Sequence, residues 1–224
     1  MLQLKDQTPL GAGADRTVYR HPENPELCIK IPKYATGKDL KITETRDKIF
    51  CLSRFGDKRG LDYNFTDLVY ADKLQKQNKK ELFNHLPQCY GQVDTDLGTG
   101  VIWEYIVNYD STPCLSLLNY KNESDRLGDN EKELLWDALD TFFSWQVEHA
   151  VMLREMAFSN TLVRKINSDS IRLYHIDAIG CVDLIPLADY SKSFARLRVR
   201  SKVYRFRKRI IASLGAPPKR MNSI

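Results

Sequence analysis

Short apolar runs broken by turn residues fill the first part of the chain, and longer apolar stripes of helical period fill the rest. The alternation predicts a strand over 2–10, a turn at Gly11-Ala12-Gly13-Ala14-Asp15 and a returning strand at Thr17-Val18-Tyr19. His21-Pro22-Glu23-Asn24-Pro25 is a cluster of turn residues, and 27–31 is a short apolar third strand. Residues 33–63 are strongly charged, include Gly37, Gly56 and Gly60, and read as an insert with a helical stretch at 42–50. Leu68, Tyr70, Ala71 and Leu74 recur at helical spacing, which predicts a helix over 66–82 before the break at Leu86-Pro87. Strands are expected at 89–94 and 100–106, joined by a turn at Asp96-Leu97-Gly98.

Further along, Asn130 with Glu133 three residues on resembles a capping box heading a helix that runs to about His149. Leu134, Leu135, Ala138, Leu139, Phe142, Phe143 and Val147 give that helix a broad apolar face. Strands at 161–166 and 171–176 flank the hairpin turn Asn167-Ser168-Asp169-Ser170. The pattern predicts an α+β chain with a strand-rich lobe over 1–106 and a helix-rich lobe over 107–224.

Charge sharpens this picture. The net charge is +5, yet residues 191–224 carry eleven Lys or Arg and no acid, so the first 190 residues stand at about −6 by subtraction. The basic segment interleaves Arg196, Arg198, Arg200, Lys202, Arg205, Arg207, Lys208 and Arg209 with apolar residues. It reads as a helix with its apolar side on the body and its basic side outward, available to an anionic surface such as acidic lipid or nucleic acid. No apolar run is long enough to span a bilayer, and the first residues lack the apolar core of a signal peptide. A cytoplasmic location without stable membrane insertion is the expectation. Five scattered cysteines and four dispersed histidines form no disulfide or zinc spacing.

Candidate chemistry lies in four fragments whose order is that of a phosphoryl-transfer site of protein-kinase type. Gly11 and Gly13 lack side chains, so their N–H groups can approach phosphate oxygens, with Val18 just beyond. Lys30 sits in the apolar run Cys28-Ile29-Lys30-Ile31, where a lysine needs a partner such as phosphate or a helix carboxylate. Asp67 and Glu44 are both open as that carboxylate. Arg154-Glu155 precedes Asn160 by the five-residue step that separates a catalytic acid from a metal-binding Asn. Asp177, at the end of an apolar strand and followed by Gly180, is suited to a cation, and the intervening hairpin would bring it to Asn160. Glu104 and Tyr105 lie where a connecting strand would meet adenine.

Pro9-Leu10-Gly11-Ala12-Gly13, His21-Pro22-Glu23 and Cys28-Ile29-Lys30-Ile31 resemble the bacterial PhoP regulatory network protein family, the YrbL-like proteins. So do 93–100, Ser159-Asn160-Thr161-Leu162, Asp177-Ala178-Ile179-Gly180 and Leu184-Ile185-Pro186-Leu187. The resemblance implies a protein-kinase-like fold in two lobes, with a small antiparallel-sheet N-lobe and a mainly helical C-lobe. It also implies ATP binding and a link to the network that senses Mg²⁺. The chain departs from kinase patterns in four ways. Glu155 replaces the usual Asp, Ala157 stands where a Lys is usual, an extra residue separates Asp177 from Gly180, and no Ala-Pro-Glu follows. The expected function is thus a kinase-like ATP-binding protein, a Mg²⁺-dependent phosphotransferase of unassigned acceptor with Lys30 and Glu155 as catalytic residues. Two alternatives are a pseudokinase that binds a protein partner in response to nucleotide, and a basic-tail adaptor for nucleic acid or a membrane surface.

Overall fold

The computed structural model describes residues 1–13, 15–33, 62–180 and 191–217. Contacts divide the chain into two compact units, Met1–Ile106 with Asp177–Pro186, and Val107–Ile176 with Leu187–Ile224. The described residues form a mixed α+β protein with two antiparallel sheets and four α-helices.

The first unit is built on a five-stranded sheet. Its strands are β1 (Gly11–Ala12), β2 (Arg16–Arg20), β3 (Leu27–Pro32), β4 (Cys89–Thr95) and β5 (Gly98–Glu104), in the spatial order β1-β2-β3-β5-β4. Antiparallel register sets Gly11 opposite Val18, Val18 opposite Lys30, Lys30 opposite Val101 and Val101 opposite Gln92. Residues directly opposite share a face, so these five form one row across the sheet. Their neighbours point the other way. There Ile29 and Ile31 pack with Leu4, and Leu2, Tyr19, Val93, Leu97 and Ile102 close around them. Gly100 belongs to this packing: a Cβ there would lie 2.6 Å from both Ile29 Cγ2 and Ile31 Cδ1.

The strand expected over 2–10 does not form. Leu2 makes only an isolated bridge to Thr95, and the chain turns at Lys5-Asp6, where the Gln7 N–H donates to the Leu4 carbonyl. The alternation of Leu2 and Leu4 reflects burial of Leu4 under the sheet, not a ladder. The carboxylate of Asp96 holds the segment by accepting from the N–H groups of Leu4 (2.7 Å) and Lys5 (3.1 Å). The first two residues of the turn expected over 11–15, Gly11-Ala12, are instead the short strand β1.

Helix α1 (Tyr63–Gln75) contacts the sheet strands β3, β4 and β5. It begins and ends earlier than the apolar period predicts. Asp62 caps it, with its side chain accepting from the N–H groups of Asn64 (2.8 Å) and Phe65 (3.4 Å). Asn78 has φ 51°, which no helix can continue, and Lys80–Phe83 is a separate 3₁₀ turn.

The second unit holds β6 (Leu115–Ser116), α2 (Leu117–Asn122), α3 (Asp129–Glu148), the hairpin β7 (Thr161–Lys165) with β8 (Ile171–His175), and α4 (Lys192–Leu214). The cap of α3 is Gly128 rather than Asn130, and the Gly128 N–H donates to Glu131 Oε2 at 3.3 Å. The acid three residues beyond the cap is thus Glu131, and Asn130 lies within the first turn. Leu135, Leu139, Phe142 and Phe143 of α3 are buried, as periodicity predicts, and α3 packs on β8 and α4. Phe206 of α4 sits edge-on to Phe143 and Phe158, with ring centroids 6.3 and 5.4 Å away.

The basic side of α4 is not simply turned outward. Arg196 donates to the Glu148 carbonyl, Lys202 to the carbonyls of Leu153 (2.6 Å) and Arg154 (3.2 Å), and Arg209 to that of Met156 (3.2 Å). Arg207 pairs with Asp140. Meanwhile Leu197 and Tyr204 are exposed. Much of the positive charge neutralises the C-terminal end of α3 and the carbonyls of the loop after it.

Candidate functional site

Lys30 occupies the middle of the cross-strand row on the face contacted by α1. Its backbone carbonyl accepts from Asn64 Nδ2 at 2.8 Å, which ties β3 to α1. Its ammonium lies 5.0 Å from the Trp103 ring centre and 3.8 Å from Asp177 Oδ1. Only 7% of the side chain is accessible. Burial, reinforced by the nearby Arg16 guanidinium, lowers its pKa from 10.5 to about 8, against the opposing pull of Asp67.

Sequence reasoning missed Arg16. It begins β2, and its side chain is 7% accessible. Its NH1 donates to Asp67 Oδ2 (2.8 Å) and Asn64 Oδ1 (3.1 Å), both buried on α1. Its NH2 bonds Asp177 Oδ1. Of the two acids open as the partner of Lys30, Asp67 lies in this cluster with Arg16 as its ion-pair partner, and Glu44 lies outside the described residues. An arginine one residue after a turn, on a half-buried strand, reads as a surface residue. Its buried state is set by α1, far away in sequence.

Asp177 is the most accessible member, 33% exposed at its side chain. Its Oδ1 also accepts from the Ala178 N–H at 2.8 Å. Ala178 (φ 56°) and Gly180 (φ 97°) both adopt left-handed backbone, so the chain turns sharply after Asp177. A Cβ on Gly180 would stand 3.2 Å from Tyr70 Cγ on α1, so conformation and packing both require glycine there.

The other glycines differ. A Cβ on Gly11 would meet nothing within 4 Å, and one on Gly13 only the Arg16 carbonyl at 3.9 Å, among the described residues. Neither has a positive φ. Among the described residues nothing demands glycine at either position. Val18 is half-buried beside them, directly opposite Lys30. Glu104 and Tyr105 lie at the end of β5. Their N–H groups are donated to the carbonyls of Gln88 (2.9 Å) and Glu26 (2.7 Å), so both are already engaged within the chain.

In the second unit, Glu155 is exposed in the loop between α3 and β7, the loop whose carbonyls Lys202 and Arg209 hold. Asn160 stands at the base of the β7–β8 hairpin, where its carbonyl accepts from the Ile176 N–H at 2.9 Å. Asp177 is the next residue along the chain. Among the described residues, no group of three or more His, Cys, Asp or Glu is arranged to hold a metal ion.

These features define an α+β protein with a cluster of two buried cations and two carboxylates on the Lys30 face of its five-stranded sheet. Residues 2–211 match the family described as PhoP regulatory network protein YrbL, and the chain belongs to that family. It is 27% identical over 213 residues to the uncharacterized protein YrbL of Escherichia coli (strain K12), across 95% of this chain and 87% of that protein. The same identity and coverage hold for the uncharacterized protein YrbL of Shigella flexneri. Among the described residues, no helix is long and apolar enough to cross a membrane.

Proposed function

We propose that this chain is a protein-kinase-like ATP-binding protein acting in the cytoplasm, with the first unit as the nucleotide-holding lobe. The observation that carries the reading is the alignment of Gly11, Val18 and Lys30 in one cross-strand row, with the Lys30 ammonium 3.8 Å from the Asp177 carboxylate. A polyphosphate needs close backbone approach and fixed positive charge, and the row supplies Gly11 and a buried amine. Two buried cations and a glycine that no described residue crowds fit the phosphate end of a nucleotide.

Mg²⁺ takes few protein carboxylates and completes its shell with phosphate oxygens and water. Asp177 in the first unit, with no larger group of acids arranged for a metal among the described residues, fits a cation that arrives with the nucleotide rather than one held by protein alone. When bound, the cation would neutralise phosphate charge. In this reading Lys30 orients the phosphates, and Glu155 accepts a hydrogen bond from the acceptor hydroxyl and orients it.

A second reading is a pseudokinase, a nucleotide-responsive binding module for a protein partner. It is favoured by the guanidinium of Arg16 on Asp177 and by the substitution of Glu155 for the usual aspartate. Thermal unfolding with and without Mg-ATP tests nucleotide binding in both. At one hundred times the dissociation constant a ligand adds about 2.7 kcal/mol, roughly 5–10 °C for a chain of this size. No shift at millimolar Mg-ATP removes both readings. If binding is seen, ATP turnover abolished by Asp177→Asn supports the transferase. Binding without turnover, unaffected by Glu155→Ala, supports the pseudokinase.

A further inference from the structure

We propose that Arg16 is a polyphosphate-binding residue of this site, with the carboxylate of Asp177 as the group that a phosphate would replace. The inference rests on the nucleotide reading above. The guanidinium is anchored along one edge: NH1 is fixed by Asp67 Oδ2 and Asn64 Oδ1, which are 1% and 3% exposed. The NH2 edge meets the one member of the cluster with substantial exposure. An anion that replaces the Asp177 carboxylate at NH2 leaves both anchoring bonds intact. Arginine suits that exchange, because its planar fork matches phosphate oxygens as well as carboxylate.

The geometry supports exchange over a purely structural staple. Asp67 already neutralises Arg16 from the α1 side. Arg16 and Lys30 then converge on a single oxygen, Asp177 Oδ1. Tying β2 to α1 needs only the NH1 bonds. An incoming phosphate would supply the negative charge that Arg16 and Lys30 both draw from Asp177. The same convergence opposes a divalent cation. Two fixed positive groups share the oxygen that would bind it, so the cation site at Asp177 opens as phosphate draws those groups away. Polyphosphate binding and the release of Asp177 become one event.

Calorimetric titration of the full chain tests this, with ATP and inorganic tripolyphosphate as probes, each in EDTA and in Mg²⁺. Wild type is expected to bind both probes in EDTA. Arg16→Met is expected to weaken that binding at least tenfold. Because this variant strands Asp67 and could unfold the chain, Arg16→Met with Asp67→Asn removes both charges together, and the same loss is expected in a chain with a native unfolding transition. Asp177→Asn gives the decisive sign. It frees the two cations, so binding in EDTA should tighten several-fold while the gain from adding Mg²⁺ disappears. A folded double variant that binds tripolyphosphate like wild type makes Arg16 a fold staple and overturns the proposal. Weaker binding by Asp177→Asn in EDTA also overturns it, as does binding of ATP without tripolyphosphate. Those results leave nucleotide binding standing, whereas wild type that binds neither probe in either buffer ends both.

Discussion

Lys30→Met should convert a pH-dependent chain into one whose stability no longer rises toward alkaline pH. The folded state lowers the Lys30 pKa from 10.5 to about 8, chiefly through burial. Between those values the unfolded chain holds more protons than the folded one, so stability rises with pH. The burial cost is therefore complete below about 8 and gone above about 10.5. A shift of this size corresponds to about 3 kcal/mol in full, of which about 1 kcal/mol is recovered between pH 7 and pH 9. The accessible fraction of the side chain is only 7%, so solvent screening takes little from that figure. Urea unfolding of wild type and Lys30→Met at several pH values within this window measures the difference. Cys28, pushed up to about 11 by burial, acts in the opposite direction only above its ordinary 9.0, so pH 9 is the proper upper limit. At pH 7 the variant should be no less stable than wild type, because Asp177 keeps Arg16 as its partner. Its relative advantage should shrink by about 1 kcal/mol at pH 9. A difference that stays flat across the window refutes a depressed Lys30 and the closed environment inferred around it.

Three further outcomes follow from the geometry. Gly180→Ala should cost about 1–3 kcal/mol by chemical denaturation, because φ 97° strains any Cβ and Tyr70 stands against it. Gly11→Ala and Gly13→Ala should leave stability within about 0.5 kcal/mol, since no atom of the described residues crowds either site, yet weaken Mg-ATP binding in the same titration that measures wild type. Lys202→Met should speed hydrogen exchange in the loop at 152–158 and cost about 1–3 kcal/mol, because it removes a charged donor from the Leu153 and Arg154 carbonyls.

The sequence made the local hairpins legible and left the long-range pairings hidden. Strands β2 and β3 and the hairpin β7–β8 were predictable because alternation and turn chemistry act over a few residues. The segment at 2–10 misled because Leu2 and Leu4 alternate like a strand, while the partner that holds them, Asp96, lies about ninety residues away. The start of α1 escaped the apolar period because it depends on a polar side chain, Asp62, rather than on a hydrophobic stripe. Lys30 and Asp177 stood out as charges within or beside apolar runs. Arg16 carried no such mark: its neighbours are a turn and a mixed strand, and only α1 packing buries it. Even so, its spacing from Gly13, with its side chain on the Lys30 face, was a usable signal once β2 was aligned with β3. The basic segment was visible as a helix, but composition alone could not show that Arg196, Lys202 and Arg209 are spent on backbone carbonyls.

The central claim is that the Lys30 face of the five-stranded sheet holds the phosphates of a nucleotide. Calorimetric titration of Mg-ATP into wild type and Lys30→Met tests it most directly, with the folded state of each verified by its unfolding transition. One equivalent should bind wild type, and the variant should bind at least tenfold more weakly. Equal affinity in the two folded chains, or no heat of binding to wild type at millimolar nucleotide, would contradict it.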